Sequence, residues 1–324
     1  MTLPFAIAIH GGAGTILPQL MSDELNAQIR ADLERAVKAG HHCLVQGGLA
    51  VDAVVAAVRV LEDSPHFNAG KGSVLNHHEI VEMDASIMDG KQRQAGAIAG
   101  VRHIRNPIAL ARDVMQQSDH VLLVGEGAEA FAFEHGHEFT EQDYFYTDRR
   151  YEQLQTVKMQ GKTSLSEADT TVEEKTAVYP DDHKHGTVGA VALDQYGNLA
   201  AATSTGGMTN KKYGRVGDSA LIGAGTFAEN GNVAISTTGV GELFIRHTVA
   251  ADVAARMRYL HEDVATACEQ VIHGQLKQDG GEGGMIAINA QGEIHFALNC
   301  SGMYRAAVDR EGRCQVHIYA DENS

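Results

Sequence analysis

Tryptophan is absent from the chain, proline contributes only 5 of 324 residues, and aromatic residues make up 6%. So little aromatic surface leaves few platforms for stacking on sugars or bases. Basic residues are also short: Lys and Arg total 26 against 42 Asp and Glu, a formal net charge of −16. That sign opposes the positive footprint that phosphate backbones and anionic membrane surfaces require, so neither nucleic acid nor membrane is expected as a partner. No apolar run approaches the ~18 residues that would span a bilayer, and the opening MTLPFAIAIHGGAG has no basic n-region. The expectation is a cytoplasmic protein. Four cysteines, Cys43, Cys268, Cys300 and Cys314, show no CxxC spacing. Reduced, mostly buried thiols are expected rather than a disulfide frame or a zinc site.

Glycine, in contrast, is plentiful at 35 residues, and apolar residues reach 44%. The chain can bury a large core and make many tight turns or close backbone approaches. Apolar spacing predicts a strand at residues 5–10 bounded by GGAG, helices over 24–45 and 50–61, a strand pair at 79–89 and 95–101, and a helix from Pro107 to about 117. From about 141 to 186 the pattern becomes polar and aperiodic, and reads as a flexible linker. Beyond it, TVGAVALD and LAAATS form a predicted hairpin, SALIGAG and NVAISTTG a second, and GMIAINAQGEIHFALN a third. Helices are predicted from ELFIRHTVAADVAARMRYL and from residues 263–277. Hairpin connections favour antiparallel sheets, and two stacked sheets flanked by helices satisfy the order.

Candidate chemistry is narrowed by elimination. AIAIHGGAG follows a strand with glycines, but neither GxGxxG nor GxxxxGK[ST] is present, so a tight turn beneath a site is the better reading than a phosphate cradle. His183 and His185, beside Asp181 and Asp182, read as solvated residues of the linker rather than metal ligands. No GxSxG elbow exists and no cysteine carries a local catalytic signature. Threonines remain. Thr187, Thr203, Thr205, Thr209, Thr237 and Thr238 concentrate in three Gly-rich segments at the ends of predicted strands.

Those segments, HGTVG, TSTGGMTNKKYGRVGDS and STTGVGE, resemble the motifs of the plant-type L-asparaginase and isoaspartyl peptidase family of N-terminal-nucleophile hydrolases. IHGGAG, FNAGKGSVL and EMDASIMDG extend the resemblance over nearly the whole chain except the linker. It implies a four-layer αββα α+β sandwich, cut by its own action between Gly186 and Thr187 into chains 1–186 and 187–324. Cleavage places an α-amine, titrating near pH 8, on the nucleophile itself.

By the same resemblance Thr187 is the nucleophile, supported by Thr205, and Thr238 Oγ with the Gly239 N–H forms the oxyanion hole. Arg215 holds the substrate α-carboxylate, Asp218 with the Gly241 carbonyl holds the α-ammonium, and Asn68 is an active-site residue from the first half. Backbone carbonyls of Leu61, Glu62, Ser64, Phe67, Ala69 and Lys71 correspond to a loop that binds a structural sodium ion; no cofactor is implied for catalysis. The implied substrates are L-asparagine and β-aspartyl dipeptides, and the implied assembly is a dimer of αβ units. Glycosylasparaginase and a threonine endopeptidase of the taspase kind are alternatives, but both carry Asp where this chain has Gly186. A non-catalytic binding module with Gly-rich loops is a further alternative that leaves the Gly186-Thr187 border unexplained.

Overall fold

A computed structural model describes residues 5–160 and 186–322. The first half runs β1 (Ala6–Gly14), α1 (Asp23–Val45), α2 (Ala50–Glu62), β2 (Met83–Asp89), β3 (Gln94–Val101), α3 (Pro107–Gln117), β4 (Leu122–Val124), α4 (Gly125–Glu134) and α5 (Asp148–Met159). The second half runs β5 (Val188–Leu193), β6 (Leu199–Thr205), β7 (Thr226–Ala228), β8 (Val233–Gly239), α6 (Gly241–Arg246), α7 (Val249–Ala255), α8 (Val264–His273) and α9 (Gln275–Gln278), then β9 (Gly283–Asn289), β10 (Ile294–Leu298), β11 (Gly302–Val308) and β12 (Cys314–Tyr319).

One sheet has eight strands in the order β12-β11-β1-β5-β6-β2-β3-β4, and the other has four in the order β10-β9-β8-β7. Every pairing is antiparallel except β3 with β4. Strand alternation builds the layers. Ile7 and Ile9 of β1 enter a core with α1, α2 and α3. Ala6 and Ala8, on the opposite face, enter a second core with β8, β9, α7 and α8. The result is the αββα arrangement, an α+β fold with the two sheets face to face.

Local chemistry places the first helices. The Ser22 hydroxyl accepts from the Leu25 N–H at 3.2 Å, capping α1, with Asp23 and Glu24 in its first turn. Gly40 lets α1 approach closely, since a Cβ there would lie 2.3 Å from Ile7 Cδ1 and 2.7 Å from the Ala53 carbonyl oxygen. At α2 the cap comes from far along the chain: Asp194, in the β5–β6 turn, accepts from the Ala50 N–H at 3.1 Å.

Several expectations need correction. Residues 141–159 are not linker: α5 is capped by Thr147, buries Leu154 and Val157, and inserts Arg150 to donate to the Gly72 carbonyl at 2.8 Å. The helix shows no strong apolar stripe in the sequence because a charged residue, Arg150, supplies much of its buried anchor. The remainder of the expected linker, 161–185, including His183 and His185, lies outside the described residues. β1 runs on through GGAG with a bulge between His10 and Gly12 instead of stopping at a turn. SALIGAG is largely turn, and β7 follows it. The single helix expected from 242–260 breaks at Thr248, whose φ is +46°. β11, β12 and α4 were not anticipated. All four cysteines are free, but only Cys268 is fully buried and Cys314 is exposed. Among the described residues no helix is long and apolar enough to cross a membrane.

Candidate active site

Antiparallel pairing of β5 with β6 sets Val188 against Ser204 and Gly189 against Thr203, which brings Thr187 beside Thr205. The Thr187 hydroxyl donates to Thr205 Oγ1 at 3.1 Å, and the Gly207 N–H donates to the same oxygen at 3.0 Å. Both threonines are buried.

Asn68 closes the site from the first half of the chain. Its backbone N–H donates to the Gly186 carbonyl at 2.9 Å, and its own carbonyl accepts from the Gly206 N–H at 3.0 Å. Its side-chain amide donates to the Gly207 carbonyl at 2.7 Å and accepts from the Val74 N–H at 2.9 Å. A Cβ on residue 186 would lie 2.5 Å from Asn68 Cβ, so only glycine fits without displacement.

The facing sheet contributes the end of β8. Thr238 Oγ1 accepts from the Ala13 N–H at 3.3 Å, while Thr237, pointing the opposite way, donates to Asp218 Oδ2 at 2.9 Å. Burial pushes the Asp218 pKa up to about 6, against the opposing effects of the Thr237 hydroxyl and the nearby Arg215 charge. Arg215 makes a bidentate pair with Glu242, Nε to Oε1 at 2.8 Å and Nη2 to Oε2 at 2.9 Å. Gly241 allows close packing there, since a Cβ would sit 2.7 Å from Arg215 Nη2 and 3.0 Å from Asp218 Oδ1.

Thr187, Thr205, Arg215, Asp218, Gly239 and Gly241 thus line one cleft. Thr238 adjoins the cleft through its neighbour Gly239, and Asn68 through its hydrogen bond to the Gly207 carbonyl. Arg215 and Asp218 are not the exposed ion pair that their spacing alone permits: Asp218 is buried, and the Arg215 fork is turned to Glu242.

Residues 3–318 match the family model described as Asparaginase. The chain belongs to the asparaginase family. An isoaspartyl peptidase of Escherichia coli (strain K12) is 50% identical over 300 residues, 93% of this chain and 91% of that protein. An isoaspartyl peptidase/L-asparaginase of Xenopus laevis is 41% identical over 322 residues, covering 98% and 96%. A probable isoaspartyl peptidase/L-asparaginase of Arabidopsis thaliana is 39% identical over 330 residues, covering 97% and 99%.

In this asparaginase-family chain the residues that the sequence motifs singled out converge, but two neighbours went unread. Glu242 gave no signal beyond an acidic residue after VG, and its role as partner of Arg215 depends on α6 folding back over the cleft. His10 was visible only as part of IHGGAG; it is buried behind Thr187, and burial lowers its pKa to about 3. The Leu61–Lys71 loop reaches the site through Asn68, while Glu62 at its start lies on the other side of β6, its Oε1 accepting from the Ser204 hydroxyl at 2.7 Å and the Ile108 N–H at 2.9 Å. Complete burial pushes the Glu62 carboxyl up to about 8.

Proposed function

We propose that this protein cuts its own Gly186–Thr187 bond and that the liberated Thr187 hydrolyses the side-chain amide of L-asparagine and the isopeptide bond of β-aspartyl dipeptides. The observation that carries the reading is the Thr187 hydroxyl, hydrogen-bonded to Thr205 and adjacent to a Gly186 carbonyl held by the Asn68 N–H. The substrate class draws support from the names of the relatives.

In the first reaction Thr187 Oγ adds to the Gly186 carbonyl carbon and the peptide C–N bond breaks, leaving an ester on Oγ and a free amine on Thr187. Water hydrolyses that ester to the Gly186 carboxylate. In the second, the α-amine takes the Thr187 hydroxyl proton as Oγ adds to the substrate side-chain carbonyl. Thr238 Oγ and the Gly239 N–H stabilise the developing oxyanion. The leaving ammonia or α-amine departs with that proton, and water releases aspartate from the acyl ester.

Arg215 and Asp218 hold the free α-carboxylate and α-ammonium that both substrates share. To receive the carboxylate, Arg215 must share or exchange the fork now given to Glu242. No cofactor enters either reaction.

A structural sodium ion fits the Leu61–Lys71 loop in one respect. Gly70 and Gly72 are packed so closely against the Glu62 and Phe67 carbonyl oxygens, two of the implied ligands, that Cβ atoms would lie 2.2 and 2.1 Å from them, and carbonyl oxygens are the donors a hard cation takes. The ion would brace the loop that carries Asn68. Pairing of two processed units is part of the same proposal, and sedimentation of the purified protein tests it.

The deciding experiment is intact mass with N-terminal sequencing. Two chains, the second starting Thr187-Val188-Gly189, are expected. Thr187→Ala should remain one inactive chain, and Thr187→Ser should process and hydrolyse more slowly. A stable single chain that hydrolyses L-asparagine would overturn the reading.

A further inference from the structure

Beneath the cleft lies a second tier of polar side chains that the reaction does not touch. Strand periodicity puts it there: residues two positions from Thr187, Thr205 and Thr238 on the same strand faces are Gly189, Thr203 and Ser236. Thr203 Oγ1 and Ser236 Oγ meet at 2.7 Å across the gap between the eight-stranded and four-stranded sheets. Ser236 Oγ also lies 2.9 Å from His10 Nε2, and Thr203 Oγ1 lies 2.5 Å from Thr226 Oγ1. Thr226 in turn lies 2.8 Å from the Ser86 hydroxyl, which reaches the Ser219 carbonyl at 2.6 Å. His10, Ser236, Thr203, Thr226 and Ser86 are all fully buried.

The hydrogen-bonded run crosses from one sheet to the other at four successive contacts. His10, Thr203 and Ser86 belong to β1, β6 and β2 of the eight-stranded sheet, whereas Ser236 and Thr226 belong to β8 and β7 of the four-stranded one. Thr226 donates to Thr203, the Thr203 hydroxyl donates to the Gly225 carbonyl at 3.1 Å, and the Ser86 hydroxyl reaches the Ser219 carbonyl next to Asp218. Every hydroxyl of the run has a partner, while His10 Nδ1 has none among the described residues, and such linked bonds reinforce one another. Gly189 makes the crossing possible: a Cβ there would lie 2.0 Å from Ser236 Oγ and 2.4 Å from His10 Nε2. An alanine would force the sheets apart at this point.

The two halves of the proposed catalytic apparatus stand on different sheets, Thr187 and Thr205 on one and Thr238 and Gly239 on the other. The separation between nucleophile and oxyanion hole is therefore a separation between sheets. Apolar packing holds sheets together without fixing their register to a fraction of an ångström, because alanine and valine faces can slide. Directional hydrogen bonds do fix it. We propose that Thr203, Ser236 and Thr226 are positioning residues, a hydrogen-bonded clamp that sets the distance and register of the two sheets directly below the catalytic threonines. This inference rests on the hydrolase reading above, which wild-type processing and hydrolysis test separately.

The experiment compares Thr203→Val, Thr203→Ser and Ser236→Ala with wild type. Valine keeps the β-branched shape and removes the hydroxyl, serine keeps the hydroxyl, and Ser236→Ala removes one oxygen from the opposite sheet. Rates are normalised to the amount of chain carrying a free Thr187 amine, and each variant is melted thermally to confirm that it folds. A misaligned site should lose kcat on the order of 10- to 100-fold with KM little changed, and self-cleavage should slow in parallel. Thr203→Ser should recover most of the rate. If Thr203→Val does not fold, Ser236→Ala carries the same comparison. Should the folded variants melt lower yet keep wild-type kcat per processed unit, the tier only stabilises the fold and the proposal is wrong. Wild-type protein that neither processes nor hydrolyses would instead overturn the hydrolase reading.

Discussion

The backbone N–H of Asn68 donates to the carbonyl oxygen of Gly186 at 2.9 Å, while Asn68 Cβ occupies the space where any side chain on residue 186 would begin. The same residue thus polarises the bond proposed to break and excludes substituents beside it. Gly186→Ala should fold, since the change lies at the border of an element, but relieving a 2.5 Å contact must shift either Asn68 or the bond itself. Overpacking of this kind costs roughly 1–3 kcal/mol, so self-cleavage should slow by about tenfold or more. Gel separation of the two chains over time measures it, and cleavage at the wild-type rate would show that the contact is easily relieved.

The substrate clamp separates an aspartyl-directed hydrolase from a general amidase. Self-cleavage presents no free α-amine or α-carboxylate, so Arg215→Ala and Asp218→Ala should still mature into two chains. Hydrolysis by both should fall by well over tenfold in kcat/KM, since losing one partner of a desolvated charge pair costs about 2–5 kcal/mol. Arg215→Lys should restore only part, because a point charge cannot reproduce the bidentate fork. Wild-type kinetics in these variants would remove both residues from the site.

Protonation of Asp218 gives the clamp a pH limit. Its pKa is raised to about 6 in the folded protein, mainly by burial, so the carboxylate that attracts an ammonium is present above that pH and is lost as pH falls through it. kcat/KM for L-asparagine should therefore fall more steeply below about 6, where loss of the Asp218 carboxylate adds to protonation of the Thr187 α-amine. Asp218→Asn should lower the plateau and remove this steeper component, leaving the limb of the α-amine. An acid limb unchanged in Asp218→Asn would assign it to another group.

Helix α5 (Asp148–Met159) should resist the trimming that its polar sequence invites. Leu154 and Val157 are buried and Arg150 reaches the loop bearing Asn68. Leu154→Ala should cost about 2–5 kcal/mol, read as a lowered Tm, and removal of the helix should impair activity as well. Unchanged melting would mean that α5 is only loosely attached.

Much of this protein was legible in the order of its residues. Helical spacing located α1, α2 and α3, and alternation located β5, β6, β9 and β10, because these elements bury apolar faces whose periods are written locally. The three Gly- and Thr-rich segments named the candidate residues of the site, and each lies at a strand end. What remained hidden depends on partners distant in the chain. Helix α5 is held partly by Arg150, so it has no strong apolar stripe to read. The edge hairpin of β11 and β12 gains its place by pairing β11 with β1, almost the whole sequence away. Glu242 becomes the partner of Arg215 only when α6 folds over the cleft. Thr203, Ser236 and Thr226 look like ordinary strand residues, and become a clamp only when two sheets meet face to face with Gly189 leaving room between them. Sequence determined which groups this chain has available and which faces it must bury; the stacking of the sheets decided which of those groups touch, because hydrogen bonding is a matter of distance and direction that no local pattern encodes.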